Sequence, residues 1–178
     1  MPRHTAFLRA INVGGHTVKM DRLRALFEEM GFTNVATLIA SGNVIFDSPA
    51  RNAGTLEKTI EEHLRKSLGY DVATFIRSAA ELAAIVNHQP FPVADIDAEG
   101  TSLHVMFLHH PPAGEVQEKL SALPSDVDEF HVHGREIYSL CRAGLSGSPL
   151  FSGTSVDRAI GAPTTARNIT TVRKLSPR

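Results

Sequence analysis

Residues 7–15 read FLRAINVGG, an apolar run that ends in two consecutive glycines. The run predicts a strand over residues 5–11, and the glycines predict a turn into a helix that begins near Met20. Arg9 interrupts the predicted strand at a position that an apolar side chain would normally occupy. Because burying a lone charge is costly, its guanidinium must either pair inside the protein or face a groove.

The segments that follow this turn predict a split βαβ order in the N-terminal half. Apolar spacing predicts helices over 20–30 and 56–68 and strands over 5–11, 34–40, 43–47 and 71–76. Strand, helix, strand, strand, helix, strand is the ferredoxin-like arrangement. We therefore expect an α+β fold in which a ferredoxin-like N-terminal half packs against a second, smaller α+β half.

The second half is expected to differ from the first at its end. We predict strands over 102–108, 129–133 and 136–142 and helices over 78–87, 114–123, 155–160 and 164–175. This order lacks a fourth strand, and no residue-level repeat links the halves. The loop over 89–100 contains prolines and acidic residues and is the candidate boundary, so the expected domains are residues 1–88 and 101–178.

Composition and charge narrow the class of protein. The chain has 178 residues, 42% of them hydrophobic and 21% charged, which is typical of a soluble globular protein. A formal charge of −1 argues against nucleic acid as the main partner. The single cysteine, Cys141, allows no intrachain disulfide, and no apolar run is long enough for a membrane span. We therefore expect a cytoplasmic protein with no membrane partner.

Three stretches together resemble one protein family. They are residues 7–15 with Met20 and Leu23, residues 41–46 (SGNVIF), and residues 165–168 (TARN) followed by Thr171, Lys174 and Leu175. The combination is similar to the bacterial family known as domain of unknown function 1697. The resemblance spans almost the full length of the chain. It implies an α+β fold with ferredoxin-like parts, and it implies no activity.

The opening segment offers the first candidate ligand site. Arg9 has a fork of donors suited to a carboxylate or phosphate, and Asn12, Gly14 and Gly15 follow at the end of the predicted strand. The alternative is that Arg9 forms an internal ion pair and the glycines only make the turn. Asn43 belongs first to the predicted hairpin turn, although its side chain would also reach the sheet edge near Asn12.

The last predicted helix offers the second candidate site. At 100° per residue, one stripe of this helix gathers cations and hydroxyls with no acid between them. Its members are Thr164, Arg167, Thr171, Lys174 and Arg178, with Asn168 at the edge. Hydroxyls and amides beside arginine suit phosphate oxygens. The alternative is a solvated helix face whose last cations favour the helix dipole.

These segments lead to a hypothesis of anion binding. A small anionic or phosphate-bearing ligand would be held by Arg9 and Arg167, oriented by Asn12 and Asn168, and cradled by the glycine amides. Replacing either arginine with alanine is then expected to weaken binding and leave stability nearly unchanged. The alternatives are a homodimeric interaction module that buries the open sheet face and, third, nucleic-acid binding through the basic helix. The sequence assigns neither a cofactor nor a catalytic residue.

Clustered histidines raise the possibility of a metal site, and the sequence does not favour it. Five of them lie between His104 and His133, and the strand period places His131 and His133 on one face. His104 or His109 is the candidate third ligand. No HExxH or cysteine-based pattern is present, so an exposed strand face with incidental histidines is the preferred interpretation. Cys141 is expected to be a small buried apolar residue rather than a nucleophile.

Overall fold

The chain forms two structural units, each built on a four-stranded antiparallel sheet. The computed structural model describes residues 1–12, 14–38, 42–151 and 153–177. One unit contains Met1–Ile85 together with the chain from Leu175, and the other contains Val86–Lys174. The expected α+β class is confirmed.

The first unit has the ferredoxin-like order that the sequence predicts. Its elements are β1 (Arg3–Leu8), α1 (Met20–Glu29), β2 (Thr33–Leu38), β3 (Asn43–Asp47), α2 (Ala53–Leu68) and β4 (Thr74–Ser78), and α3 (Ala79–Asn87) follows. The sheet order is β2-β3-β1-β4, so β1 pairs with both β3 and β4. The predicted hairpin turn at Ser41 lies outside the described residues.

Capping residues set the two ends of α2. The Asn52 side chain accepts a hydrogen bond from the Thr55 N–H at 2.9 Å and so caps α2, and Gly69 ends the helix at a φ of 83°. Leu56, Ile60 and Leu64 form the buried stripe of α2. They pack in one apolar cluster with side chains of α1 and of the strands.

A capping box begins α3, the helix that the sequence predicts over residues 78–87. The Ser78 N–H donates to the Glu81 carboxylate at 2.7 Å, and the Glu81 N–H donates to the Ser78 hydroxyl at 3.2 Å. This reciprocal pair lets the helix start directly after the last residue of β4.

The second unit repeats the architecture of the first. Its elements are α4 (Val93–Ile96), β5 (Ser102–Phe107), α5 (Val116–Ser121), β6 (Asp128–His133), β7 (Glu136–Cys141), α6 (Ser155–Ile160), β8 (Thr165–Asn168) and α7 (Ile169–Leu175). The sheet order is β6-β7-β5-β8, so the strands of this unit, taken in chain order, occupy the same places as β1 to β4 do in the first sheet. Buried side chains of α5 and α6 share an apolar cluster with strand residues such as Met106 and Ile137.

The prediction of one long helix over residues 164–175 is wrong. Thr165–Asn168 is the fourth strand, paired antiparallel with β5, and the helix occupies only Ile169–Leu175. The Asn168 side chain accepts from the Thr170 N–H at 2.9 Å and marks the change from strand to helix. Pairing with β5 outweighs the helical spacing of the polar residues, because tertiary contacts override local pattern.

The last strands of the two units correspond in detail. Arg77 lies opposite Thr5 in β1, and Arg167 lies opposite Val105 in β5. Both arginines are buried, and each donates to the main-chain carbonyl of the residue before it at 2.9 Å. A helix follows each strand directly. The structure therefore contains a repeat that no residue-level similarity reveals.

Among the residues that the structure describes, no helix has the length and apolar character needed to cross a membrane.

Gly42 provides a test of the packing at the end of β1. A Cβ there would lie 2.8 Å from the Ile11 Cγ2 and 3.0 Å from the Leu8 Cβ, and the φ of Gly42 is +85°. Gly69 has a similar φ of +83° with open space around it. Both alanine variants incur the left-handed backbone cost, and only Gly42→Ala adds crowding. We expect Gly42→Ala to lose about 1–3 kcal/mol more than Gly69→Ala in chemical denaturation. Equal losses would contradict the close packing.

Candidate functional site

Arg9 lies just beyond the end of β1, not inside a strand. Its N–H donates to the Ala73 carbonyl at 2.9 Å, and Ala10 then turns the chain away with a φ of 56°. The strand interior that the sequence predicted for Arg9 is therefore wrong. The side chain is exposed, and no carboxylate among the described residues pairs with it. Exposure removes the burial cost that a strand position would impose.

Asn12 closes the loop that joins β1 to α1. Its side-chain oxygen accepts from the Val18 N–H at 2.6 Å, which brings the two ends of the loop together. The Tyr70 hydroxyl donates to the Ile11 carbonyl at 3.0 Å, and the His16 ring stacks on Tyr70 with the centroids 3.8 Å apart. Burial raises the pKa of Tyr70, so its hydroxyl stays a donor at neutral pH. The loop is thus held from both sides.

Gly14 and Gly15 adopt a left-handed backbone conformation that favours glycine. Gly14 and Gly15 have φ values of +67° and +85°, and a Cβ on either would meet nothing within 4 Å. A ligand can therefore approach the backbone here. Lys19 is exposed and precedes α1, whose first turn has no side-chain cap. Val13, between Asn12 and Gly14, lies outside the described residues.

Asn43 is a core residue in this structure. It is fully buried at the start of β3, and its side-chain amide donates to the Leu38 carbonyl at 2.9 Å. The ligand contact expected of it stays a prediction, and Asn43 is not carried into the site described below.

Arg167 is a buried strand residue rather than part of an exposed helical stripe. Its guanidinium donates to the Thr165 hydroxyl at 2.8 Å and to the Ala166 carbonyl at 2.9 Å. Burial lowers the pKa of Arg167 to about 10, so the side chain is still a cation at neutral pH. Only 8% of the residue is exposed. The expectation of an exposed Arg167 on a helix is wrong because residues 165–168 pair with β5.

The other members of the predicted stripe separate along the chain. Asn168 uses its side-chain oxygen on the Thr170 N–H, while Thr171 is half-buried and Lys174 is exposed on α7. Arg178 lies outside the described residues. Arg9 belongs to the first unit and Arg167 to the second. A single site built from both segments stays a prediction.

Three histidines of the second unit form a cluster that the sequence did not reveal. His131 and His133 share a face of β6 as predicted, and His88, just after α3, joins them. One ring nitrogen from each lies within 4.8 Å of those of the other two. The His88 and His133 rings stack with centroids 3.9 Å apart, and the His88 and His131 centroids are 5.4 Å apart.

The environment of His88 favours its neutral form. Its Nε2 is buried and has no hydrogen-bond partner within the described chain. Burial is the main cause that lowers the pKa of His88, followed by the charges of His133 and His131. A neutral imidazole keeps a lone pair that can bind a metal ion.

His104, suggested as a third ligand, lies on the opposite face of the sheet. In the strand register, His104 and Phe130 both lie opposite Ser139, whereas His131 lies opposite Tyr138. Residues directly opposite share a face, so His104 faces away from His131. His109 is not part of the cluster either.

Cys141 is buried, as expected. Its thiol donates to the Gly144 carbonyl at 3.0 Å, and burial raises its pKa. The raised pKa of the Cys141 thiol disfavours the thiolate form that a nucleophile needs.

The fold and these surfaces define a class: an α+β protein made of two split βαβ units. The chain belongs to the family described as protein of unknown function DUF1697, whose model matches residues 1–138. The conserved bacterial protein SP0830 from Streptococcus pneumoniae has a similar structure, with a TM-score of 0.71 and 20% sequence identity, over 98% of this chain and 96% of that one. At this identity the likeness shows the fold alone. No curated protein matches the sequence significantly.

The placement of Arg167 changes the expected effect of its removal. Arg167→Ala deletes hydrogen bonds of a buried charged group and leaves space in the sheet. We expect a loss of about 2–3 kcal/mol in the free energy of unfolding, measured by denaturant titration. The matched control, Lys174→Ala on exposed α7, should change it by less than about 0.5 kcal/mol. Equal stabilities would mean that Arg167 is exposed in solution.

His104 provides a test by pH. It is partly buried, its Nδ1 has no hydrogen-bond partner in the described chain, and burial lowers its pKa. The unfolded chain takes up a proton at a pH of about 6.5, and the folded chain does so only at lower pH. Stability is therefore lost as the pH falls below that value. We expect the drop in Tm from pH 7.5 to 5.5 to be smaller in His104→Phe, whereas His110→Phe, at an exposed histidine, should keep the wild-type drop.

Proposed function

We propose that this protein binds a small anionic or phosphate-bearing ligand at the loop between β1 and α1. The observation that carries the proposal is the pair of exposed cations at the two ends of this loop, Arg9 and Lys19. Neither has a carboxylate partner among the residues that the structure describes. The hydrogen bond from the Val18 N–H to the Asn12 side chain joins two positions of the loop that lie between these cations in sequence.

The chemistry of the loop suits an anion in three ways. The guanidinium of Arg9 offers planar paired donors, and the ammonium of Lys19 offers a compact charge. The first turn of α1 leaves backbone N–H groups without a side-chain cap, and the N-terminal end of a helix favours negative charge. Gly14 and Gly15 leave the backbone open to close approach.

One acidic side chain opposes the proposal. Asp21 lies in the first turn of α1, and its carboxylate pairs with Arg24 at 3.5 Å. This ion pair is exposed and therefore weak, so it does not cancel the negative charge that Asp21 places beside the loop. Removing Asp21 should therefore strengthen anion binding, which gives the test a variant with the opposite sign.

Arg167 and Asn43 are left out of the proposed site because both are buried. Thr171 and Lys174 belong to the second unit, and their contribution is a separate proposal. We also propose that the protein is bacterial and lies in the cytoplasm. The bacterial source of the similar structure supports the first, and the single cysteine supports the second.

The test is isothermal titration calorimetry with sodium phosphate and sodium pyrophosphate at constant ionic strength. We expect Arg9→Ala and Lys19→Ala each to weaken binding about tenfold or more, because hydrogen bonds to charged groups contribute about 1.5–3 kcal/mol. Asp21→Asn should tighten binding. Lys66→Ala removes an exposed cation from α2 of the same unit and should leave affinity unchanged.

Equal weakening by Arg9→Ala, Lys19→Ala and Lys66→Ala would reduce the effect to net charge and contradict a site. Two other functions have their own signatures. A dimer in light scattering that Arg9→Ala dissociates would favour the interaction module. Oligonucleotide binding that falls steeply with salt and depends on Lys174 would favour nucleic acid.

A further inference from the structure

The histidine cluster of the second unit brings three imidazole rings together. His88, His131 and His133 come from two segments more than forty residues apart in sequence. One ring nitrogen from each lies within 4.8 Å of those of the other two. Among the described residues the cluster itself consists of these three histidines, and Glu136 lies opposite His133 in the strand register. Three imidazoles from two segments with their nitrogens this close together resemble a set of metal ligands.

The buried nitrogen of His88 is the second observation. Buried side-chain nitrogens are almost always hydrogen-bonded, because an unmade bond costs free energy. The His88 Nε2 is buried without a partner in the described chain, next to the other two rings. A metal ion bound to that nitrogen would satisfy it.

We propose that His88, His131 and His133 bind one divalent first-row transition-metal ion, of which zinc is the best fit, and leave one coordination position for water. The choice of metal follows from the donors. Imidazole nitrogen suits Zn²⁺, Cu²⁺, Ni²⁺ and Co²⁺, whereas Mg²⁺ and Ca²⁺ prefer oxygen ligands, and the cluster contains none. Three protein ligands with an open fourth position are the pattern of zinc sites that exchange a ligand.

The geometry requires only a small rearrangement. Nitrogens bound to a tetrahedral zinc at about 2.0–2.1 Å lie about 3.3 Å apart. The nitrogens lie within 4.8 Å of one another, and rotation of the rings about their side-chain bonds is the movement that metal binding would require. His133 is exposed, so its ring turns out of the stack on His88 without disturbing the core. His131 and His88 are half-buried and already sit beside the Tyr138 ring, with centroid separations of 6.5 and 5.1 Å.

The metal proposal is independent of the anion site. Every ligand belongs to the second unit, and the anion loop belongs to the first. Failure of one proposal therefore leaves the other standing.

The experiment is a titration of untagged, chelator-treated protein with ZnCl₂ in a calorimeter, and with CoCl₂ in a visible spectrometer. An untagged chain is essential because a polyhistidine tag would bind the same ions. We expect one ion per chain, and with cobalt the d–d absorption of a tetrahedral complex. Long-range ¹H–¹⁵N spectra should show three imidazoles shifting together on addition of zinc.

Variants separate the proposed site from incidental histidines. His133→Gln, at an exposed position, should fold normally and weaken zinc binding about tenfold or more. His131→Gln should do the same, and circular dichroism confirms its fold. His110→Gln removes an exposed histidine of the same unit outside the cluster and should bind zinc as the wild type does. Two outcomes would overturn the proposal: no zinc binding by wild type, or binding that His133→Gln leaves unchanged.

Discussion

Each unit depends on the return of its last strand to the side of its first. β1 pairs with β3 on one side and β4 on the other, and β5 pairs with β7 and β8 in the same way. An unpaired flank on the first strand would leave a row of unsatisfied backbone N–H and C=O groups. This requirement explains why a short polar segment at residues 165–168 becomes a strand despite its helical spacing. It also explains why Arg9, beyond the last paired residue of β1, is free to face solvent.

Much of the first unit can be predicted from its sequence because local signals agree there. Apolar spacing, the Asn52 cap and Gly69 bound α2, and the Ser78–Glu81 capping box starts α3. The end of the chain could not be predicted in this way. Thr164 and Thr165 are β-branched, which favours a strand, but the helical period of Arg167, Thr171 and Lys174 is the stronger local pattern. Only the presence of β5 beside it decides the conformation.

In the candidate sites, too, the sequence predicted the features set by local pattern and missed those set by tertiary contacts. The sequence predicted that His131 and His133 share a face, because strand period is a local property. It did not predict that His88 joins them. His88 follows α3 directly, and its place beside β6 depends on tertiary packing between segments more than forty residues apart. In the loop between β1 and α1, Arg9 and the two glycines were proposed from the sequence as ligand contacts, and that role stays a prediction. The role of Asn12 in closing that loop was not predicted, because its partner is a backbone N–H six residues away.

The two units share a strand order and a buried arginine in the last strand, and this likeness bears on how the chain reaches its native state. Tandem units of one topology are exposed to misassembly, in which a strand of one unit enters the sheet of the other. The last strands match at one position, and only the residue opposite it differs: Arg77 lies opposite Thr5 in one sheet, and Arg167 lies opposite Val105 in the other. Because the last strands share this arginine, the residue on the first strand, threonine or valine, is what differs at this position between native pairing and an exchanged pairing.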